Sequence, residues 1–258
     1  MLLVIDVGNT NTVMGLFDGD KIIVDFRIRT ESRTTEDEFN VLVSGLFKNE
    51  SINFSEITNT IISSVVPQMM NILEAFCKKY LGHSPHWVDH ESVKKNMPIL
   101  YDNPFEVGAD RIVNSVAAYE KYKKSLIIID FGTATTMDVI SESGEYLGGV
   151  IIPGVMISSE ALFQRTSKLP RVDLLKPPVS VIGKNTSDSI KSGIIYGYAS
   201  MIDGMVKKIS KEGNLTPLVI ATGGLAPLIN DVSDTIEKVE SSLTLEGLRI
   251  ISKNLKLI

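Results

Sequence analysis

Residues 3–19 and 127–144 of this chain repeat one another, and the repeat limits what the chain can fold into. The first copy reads Leu3-Val-Ile-Asp6-Val7-Gly8-Asn9-Thr10-Asn11-Thr12-Val13-Met-Gly-Leu-Phe-Asp-Gly19. The second reads Ile127-Ile-Ile-Asp130-Phe-Gly132-Thr133-Ala-Thr-Thr136-Met-Asp138-Val-Ile-Ser-Glu-Ser-Gly144. Asp6 aligns with Asp130, Gly8 with Gly132 and Thr12 with Thr136. Each copy predicts a buried strand, an Asp-x-Gly turn, a Thr-rich second strand and a Gly-containing hairpin. Third strands follow at Lys21–Arg29 and Glu145–Ile152. A repeat of this kind predicts two similar domains, 1–118 and 119–258, facing one another across a cleft.

The rest of the chain supplies helices to cover such sheets. Phe39, Leu42, Val43 and Leu46 form the apolar stripe of a helix over 35–48. A strand at Thr60–Val65 leads into a helix opened by Pro67. The tract 94–105, with Pro98, Asn103 and Pro104, reads as loop. Helices are predicted over 109–123, 154–166, 187–211 and 244–256, with a buried strand at Pro217–Ala221. The order strand-strand-strand-helix-strand-helix gives an α/β class with mixed sheets. A length of 258 residues suits two small domains.

Composition removes several function classes. The net charge is −5, and the basic residues occur as scattered pairs such as Lys78-Lys79 and Lys207-Lys208. A nucleic-acid partner requires clustering that this pattern lacks. Cys77 is the single cysteine, so neither an intrachain disulfide nor a Cys-based zinc site is possible. It shares helical spacing with Met69, Leu73, Phe76 and Tyr80, which predicts a buried, inert thiol. The N-terminal apolar run is too short for a signal peptide, and no run reaches membrane-span length. The expectation is a soluble, cytoplasmic protein.

The turns suggest chemistry. A strand-turn-strand rich in Gly, Thr and Asn offers backbone N–H groups and hydroxyls to an anion. An Asp at the strand end adds an oxygen ligand for a hard cation, and triphosphate is handled as its magnesium complex. One such turn is equally a plain hairpin; two with both carboxylates retained point to a phosphate-and-cation site. Ala221-Thr-Gly-Gly-Leu-Ala226, after a predicted strand, is either a tight turn or a nucleotide contact. Neither a P-loop nor a dinucleotide fingerprint occurs.

Asp6-Val-Gly-Asn-Thr10, Asp130-Phe-Gly-Thr-Ala-Thr-Thr136 and Ala221-Thr-Gly-Gly-Leu225 together resemble the two phosphate motifs and the adenosine motif of the actin, sugar-kinase and heat-shock-chaperone superfamily. Gly108-Ala109-Asp110-Arg111, Gly148-Gly-Val-Ile-Ile-Pro-Gly154 and Gly183-Lys-Asn-Thr186, in that order, narrow the resemblance to type III pantothenate kinases. It runs over nearly the whole chain, to Leu243-Thr-Leu-Glu-Gly-Leu248. The resemblance implies two ribonuclease-H-like domains and ATP-dependent phosphorylation of the terminal hydroxyl of pantothenate, the first step of coenzyme A synthesis. It implies that Asp6, Val7, Gly8, Asn9, Thr10, Asn11, Thr12 and Val13 cradle the ATP phosphates, with Thr133 also on the nucleotide. Asp130 is then the metal ligand, for potassium or ammonium, beside magnesium at the phosphates. Tyr101, Gly108, Ala109, Asp110, Arg111 and Thr186 line the pantothenate pocket, and the family is homodimeric. Asp110 is the expected base, and Arg111 suits the substrate carboxylate.

Each of these residues also has a plainer reading. Asp110-Arg111 at a helix start is a capping pair in most proteins. Thr186 is a helix cap in competition with Asn185, and Tyr101 a loop-packing aromatic. Asp138 fits an outward-facing strand position. His86 and His90 fall in an extended segment rather than at helical metal-ligand spacing. Glu31–Glu38 reads as a mobile loop. Another small-molecule kinase, or a regulatory homologue without activity, are the competing functions.

Overall fold

The computed structural model describes residues 1–257. They divide into two units: Met1–Glu120 together with the stretch from Leu243 onward, and Lys121–Ser242.

The first unit is built on β1 (Leu2–Val7), β2 (Asn11–Asp18), β3 (Lys21–Arg29), β4 (Asn59–Ser64) and β5 (His86–Trp87), ordered β3-β2-β1-β4-β5. β1 runs antiparallel to β2 and parallel to β4. Its Leu2, Leu3, Val4, Ile5 and Val7 are almost wholly buried, as a continuous apolar run in a central strand should be. β3, at the edge, alternates between exposed and half-buried positions.

Four main helices accompany this sheet: α1 (Glu36–Asn49), α2 (Pro67–Phe76), α4 (Ala109–Tyr122) and α8 (Leu243–Asn254), with the short α3 (His90–Val93) between them. α1 starts inside the segment read as a mobile loop, because Thr35 and Glu38 form a reciprocal capping box. Such a box stabilises a helix start by about 1 kcal/mol. The buried stripe of α1 is Phe39, Val43 and Phe47, while Leu42 is exposed. Phe47 replaces Leu42 because Phe26 and Phe54 meet it edge-on, at 5.5 and 5.7 Å. Beyond α2 the helix widens into a π-turn at Cys77–Leu81. Burial of Cys77 there pushes its thiol up to about 12.

The second unit contains β6 (Leu126–Phe131), β7 (Ala134–Ile140), β8 (Tyr146–Pro153), β9 (Leu218–Thr222) and β10 (Lys238–Val239), with α5 (Val155–Arg165), α6 (Thr186–Gly213) and α7 (Ala226–Asn230). Its sheet order, β8-β7-β6-β9-β10, repeats that of the first unit strand for strand. β6 is antiparallel to β7 and parallel to β9, as β1 is to β2 and β4. Both units are therefore ribonuclease-H-like mixed sheets with helices.

Two further expectations change. α8 packs with the first unit, where Leu245 lies against β2 and the Thr244 hydroxyl donates to Asn114. The division at 118 thus leaves out a final helix that returns to the first sheet. Asp138 does not face outward: it is wholly buried and accepts a 2.7 Å hydrogen bond from the Tyr146 hydroxyl. Among the described residues no helix is long and apolar enough to cross a membrane.

Candidate active site

The first Asp-x-Gly turn joins β1 to β2 at the strand ends. Asp6 lies opposite Ser63 of parallel β4, and the Ser63 hydroxyl donates to its Oδ1 at 2.5 Å. The turn closes through the Gly8 N–H to the Asn11 carbonyl, 3.0 Å, leaving Asn9 and Thr10 as its exposed tip. Val7 and Thr12, opposite one another, are fully buried, so Val7 can meet a ligand only through its backbone. Val13 and Asn11 are half-buried.

Thr30, one residue past β3, holds this turn from the side. Its hydroxyl donates to the Gly8 carbonyl at 2.6 Å and lies 3.0 Å from the Thr12 hydroxyl. Its N–H donates to the Thr10 carbonyl at 3.0 Å. A carbonyl only accepts, so the Thr30 hydroxyl hydrogen goes to Gly8 and Thr12 is the donor to Thr30. The Thr12 hydroxyl hydrogen is therefore turned inward.

The head of α4 stands beside this strand end. Val65 donates its N–H to the Val7 carbonyl at 3.1 Å, and a Cβ on Gly108 would lie 3.5 Å from its side chain. The same Cβ would come within 2.6 Å of Asp110 Oδ1, so glycine at 108 lets that carboxylate fold back over the backbone. Asp110 Oδ1 accepts the Arg111 N–H at 2.8 Å. Asp110 thus serves the helix start and also presents a carboxylate there. Burial raises its carboxyl above the ordinary carboxylate range, against the opposing pull of the Arg111 N–H and the Arg111 charge. Arg111 is itself only 7% exposed. Tyr101 lies half-buried in the bend before a 3-10 turn at Pro104–Glu106.

The second turn differs by one residue. Asp6 pairs with Val13 and Val7 with Thr12, but Asp130 pairs with Thr136 and Phe131 with Thr135. Thr12 therefore corresponds to Thr135, one place from the alignment by sequence. Continued across the hairpins, Ile28 corresponds to Ile152, and Thr30 to Gly154. Where the first turn has a hydroxyl, the second has bare backbone. A Cβ on Gly154 would stand 2.0 Å from the Thr133 carbonyl oxygen and 2.9 Å from that of Gly132. Correspondingly, the buried Thr135 hydroxyl makes no hydrogen bond, whereas Thr12 makes one.

Gly223, in the third glycine element, presses on the same turn with a left-handed φ of +92°. A Cβ there would lie 2.7 Å from both Asp130 Oδ1 and the Phe131 carbonyl oxygen. The Asp130 carboxylate and the Phe131 carbonyl thus both lie against the Gly223 backbone, and both are oxygen donors of the type a hard cation takes. Thr133 is exposed at the tip of the turn. Thr186 is exposed in the first turn of α6, whose cap is Asn185, accepting the Asp188 N–H at 2.9 Å. The competition for that cap goes to Asn185 and leaves Thr186 out of it.

Nothing in the local sequence marks Thr30, Ser63 or the contact of Gly223 with Asp130. Ser63 and Gly223 were accessible through register, because β4 and β9 run parallel beside the two Asp-bearing strands. Thr30 needed the hairpin register of β2 and β3, which residue types alone do not fix.

The profile of a family described as type III pantothenate kinase matches residues 2–208. The chain is 65% identical to the type III pantothenate kinase of Desulforapulum autotrophicum over 252 residues, covering 98% of this chain and 96% of the relative. It is 66% identical to that of Desulfatibacillum aliphaticivorans over 251 residues, 97% of each. Among solved structures, the activator of the 2-hydroxyisocaproyl-CoA dehydratase from Clostridium difficile shares the fold, with a TM-score of 0.57 at 12% identity. That likeness covers 100% of this chain and 97% of the activator.

Proposed function

The chain belongs to the type III pantothenate kinase family, and we propose that it transfers the γ-phosphoryl group of ATP to the primary hydroxyl of pantothenate. The products are 4'-phosphopantothenate and ADP, at the entry to coenzyme A synthesis. The observation that carries this reading is the placing of the Asp110 carboxylate over Gly108, next to Val65, whose N–H bonds the strand that runs into the first turn. In the transfer, a bond forms between the pantothenate oxygen and the γ-phosphorus while the bond to the ADP oxygen breaks. The hydroxyl proton passes to Asp110, whose raised pKa makes it the stronger base.

The first turn takes the phosphates through the backbone N–H groups of Asn9 and Asn11 and the exposed Asn9 and Thr10 side chains, the Gly8 N–H being spent on the Asn11 carbonyl. Val7 and Thr12 contribute backbone alone, since one is core and the other donates inward. Thr133 contacts the nucleotide. Gly108, Ala109, Arg111, Tyr101 and Thr186 line the pantothenate pocket, with the planar Arg111 fork for the substrate carboxylate. Asp6, oriented by Ser63, serves the magnesium of the ATP complex, and Asp130 with the Phe131 carbonyl serves potassium or ammonium. Bound there, the cations neutralise phosphate charge, which favours in-line transfer.

A homodimer completes the reading. Its support is apolar exposure in the second unit: Ile151 on β8, Met156 and Phe163 on α5, and Leu175, Val179 and Ile182 in the following loop. The test is a coupled assay of ADP release with magnesium and ATP, with and without pantothenate, in potassium and in sodium. The expected result is pantothenate-dependent release that falls when sodium replaces potassium. Stimulation by a sugar and none by pantothenate overturns the proposal.

A further inference from the structure

The structure assigns Thr30 as a positioning residue for ATP: through the carbonyls of Gly8 and Thr10 it fixes the direction in which the first turn presents its N–H groups. The inference rests on the ATP half of the proposed function, not on the identity of the acceptor.

The argument begins with the peptide bond. A trans peptide is planar, and its C=O and N–H point in opposite directions. The Thr30 hydroxyl holds the Gly8 carbonyl at 2.6 Å, which turns the N–H of Asn9 the other way, at the exposed tip. The Thr30 N–H holds the Thr10 carbonyl at 3.0 Å and so fixes the Thr10–Asn11 peptide plane as well. Thr12 completes a one-way relay, donating to Thr30, which donates to Gly8. One residue outside the motif thereby sets two of its peptide planes before any phosphate arrives. Preorganised N–H groups need no reorientation as charge develops, which makes them effective anion donors. Neither β1 nor β2 supplies this clamp; it comes from the far end of the next strand. At the corresponding place in the second unit, Gly154 has no side chain to do the same.

The test uses Thr30→Val, which keeps the shape and removes the hydroxyl, and Thr30→Ser, which keeps the hydroxyl. Mg·ATP binding is measured by isothermal titration without pantothenate, alongside steady-state KM values for both substrates and a circular-dichroism melt. The expected result for Thr30→Val is a roughly tenfold weaker Kd and higher KM for Mg·ATP. The KM for pantothenate should stay within about twofold, and Thr30→Ser should recover ATP binding to within about threefold. Thr30→Ala serves as a second hydroxyl-free variant if the valine is poorly folded. Unchanged Mg·ATP binding in the hydroxyl-free variants overturns the inference. So does equal weakening of both substrates with a lowered melt, or failure of serine to rescue. A wild type that binds Mg·ATP but ignores pantothenate would remove the proposed acceptor and leave this test standing.

Discussion

The turns after Asp6 and Asp130 occupy the same place in two sheets of the same strand order, yet they are held by different means. The first is clamped by hydroxyls: Ser63 on Asp6, Thr30 on Gly8, and Thr12 on Thr30. The second is wedged by backbone, with Gly154 against Thr133 and Gly223 against Asp130 and Phe131. Hydroxyl clamps set the direction of peptide groups and leave the turn tip open, as a site for a large anion requires. Close backbone packing brings the Asp130 carboxylate and the Phe131 carbonyl against the same glycine, oxygen donors of the kind the proposed cation would take. A duplicated fold has thus diverged in what surrounds its motif while the Asp-x-Gly itself was kept.

The largest expected effect concerns the carboxylate at the head of α4 beside the first turn. Asp110→Asn should lower turnover by about 10²–10⁴-fold while pantothenate still binds, checked by steady-state kinetics and titration. Its pH dependence has a definite sign. The folded pKa of Asp110 is raised, so kcat/KM of the wild type should fall as pH drops through that raised value. For folding, a raised pKa means stability that is present below the unfolded value and lost as pH rises through the folded one. The amide introduced by Asp110→Asn cannot ionise, so that variant should match or exceed the wild type in urea midpoint at neutral pH, the gap closing toward acid.

Next in size are the two wedging glycines. Gly154→Ala puts a methyl 2.0 Å from a carbonyl oxygen, and Gly223→Ala puts one 2.7 Å from two oxygens at a left-handed φ. Overpacking and backbone strain of this kind cost about 1–3 kcal/mol each, readable as a lowered urea midpoint with an unchanged m-value. Gly154→Ala should be the worse of the two. The motif glycines should matter least to stability. A Cβ on Gly8 or Gly132 would be 3.3 Å from a single carbonyl oxygen, and neither has a left-handed φ. Gly8→Ala and Gly132→Ala should each cost under about 1 kcal/mol. Equal costs at 8, 132, 154 and 223 would erase the distinction between clamp and wedge.

Much of this was legible in the sequence because it is local. A buried apolar run ending in Asp-x-Gly, followed by a Thr-rich strand and a hairpin glycine, fixes strand, turn and strand within about 20 residues. What was not legible depends on partners across the sheet. The second turn is one residue shorter than the first, and threonine at both 135 and 136 hides the difference, so an ungapped alignment sets Thr12 against Thr136 while its counterpart in the sheet is Thr135. Asp138 looks outward-facing until the hairpin brings Tyr146 onto it. The amphipathic pattern of α8 says that it covers a sheet, and not which of two similar sheets. Leu42 and Phe47 both fit a helical face, and only the rings of Phe26 and Phe54 decide between them.

The unequal roles proposed for the two aspartates are tested most directly by comparing Asp6→Asn with Asp130→Asn. Pantothenate-dependent ADP release would be titrated with potassium at saturating magnesium and ATP, then with Mg·ATP at saturating potassium. The account predicts that Asp130→Asn raises the potassium needed for half-activation and changes the Mg·ATP response little, while Asp6→Asn does the reverse. Two variants that shift both titrations alike would contradict it.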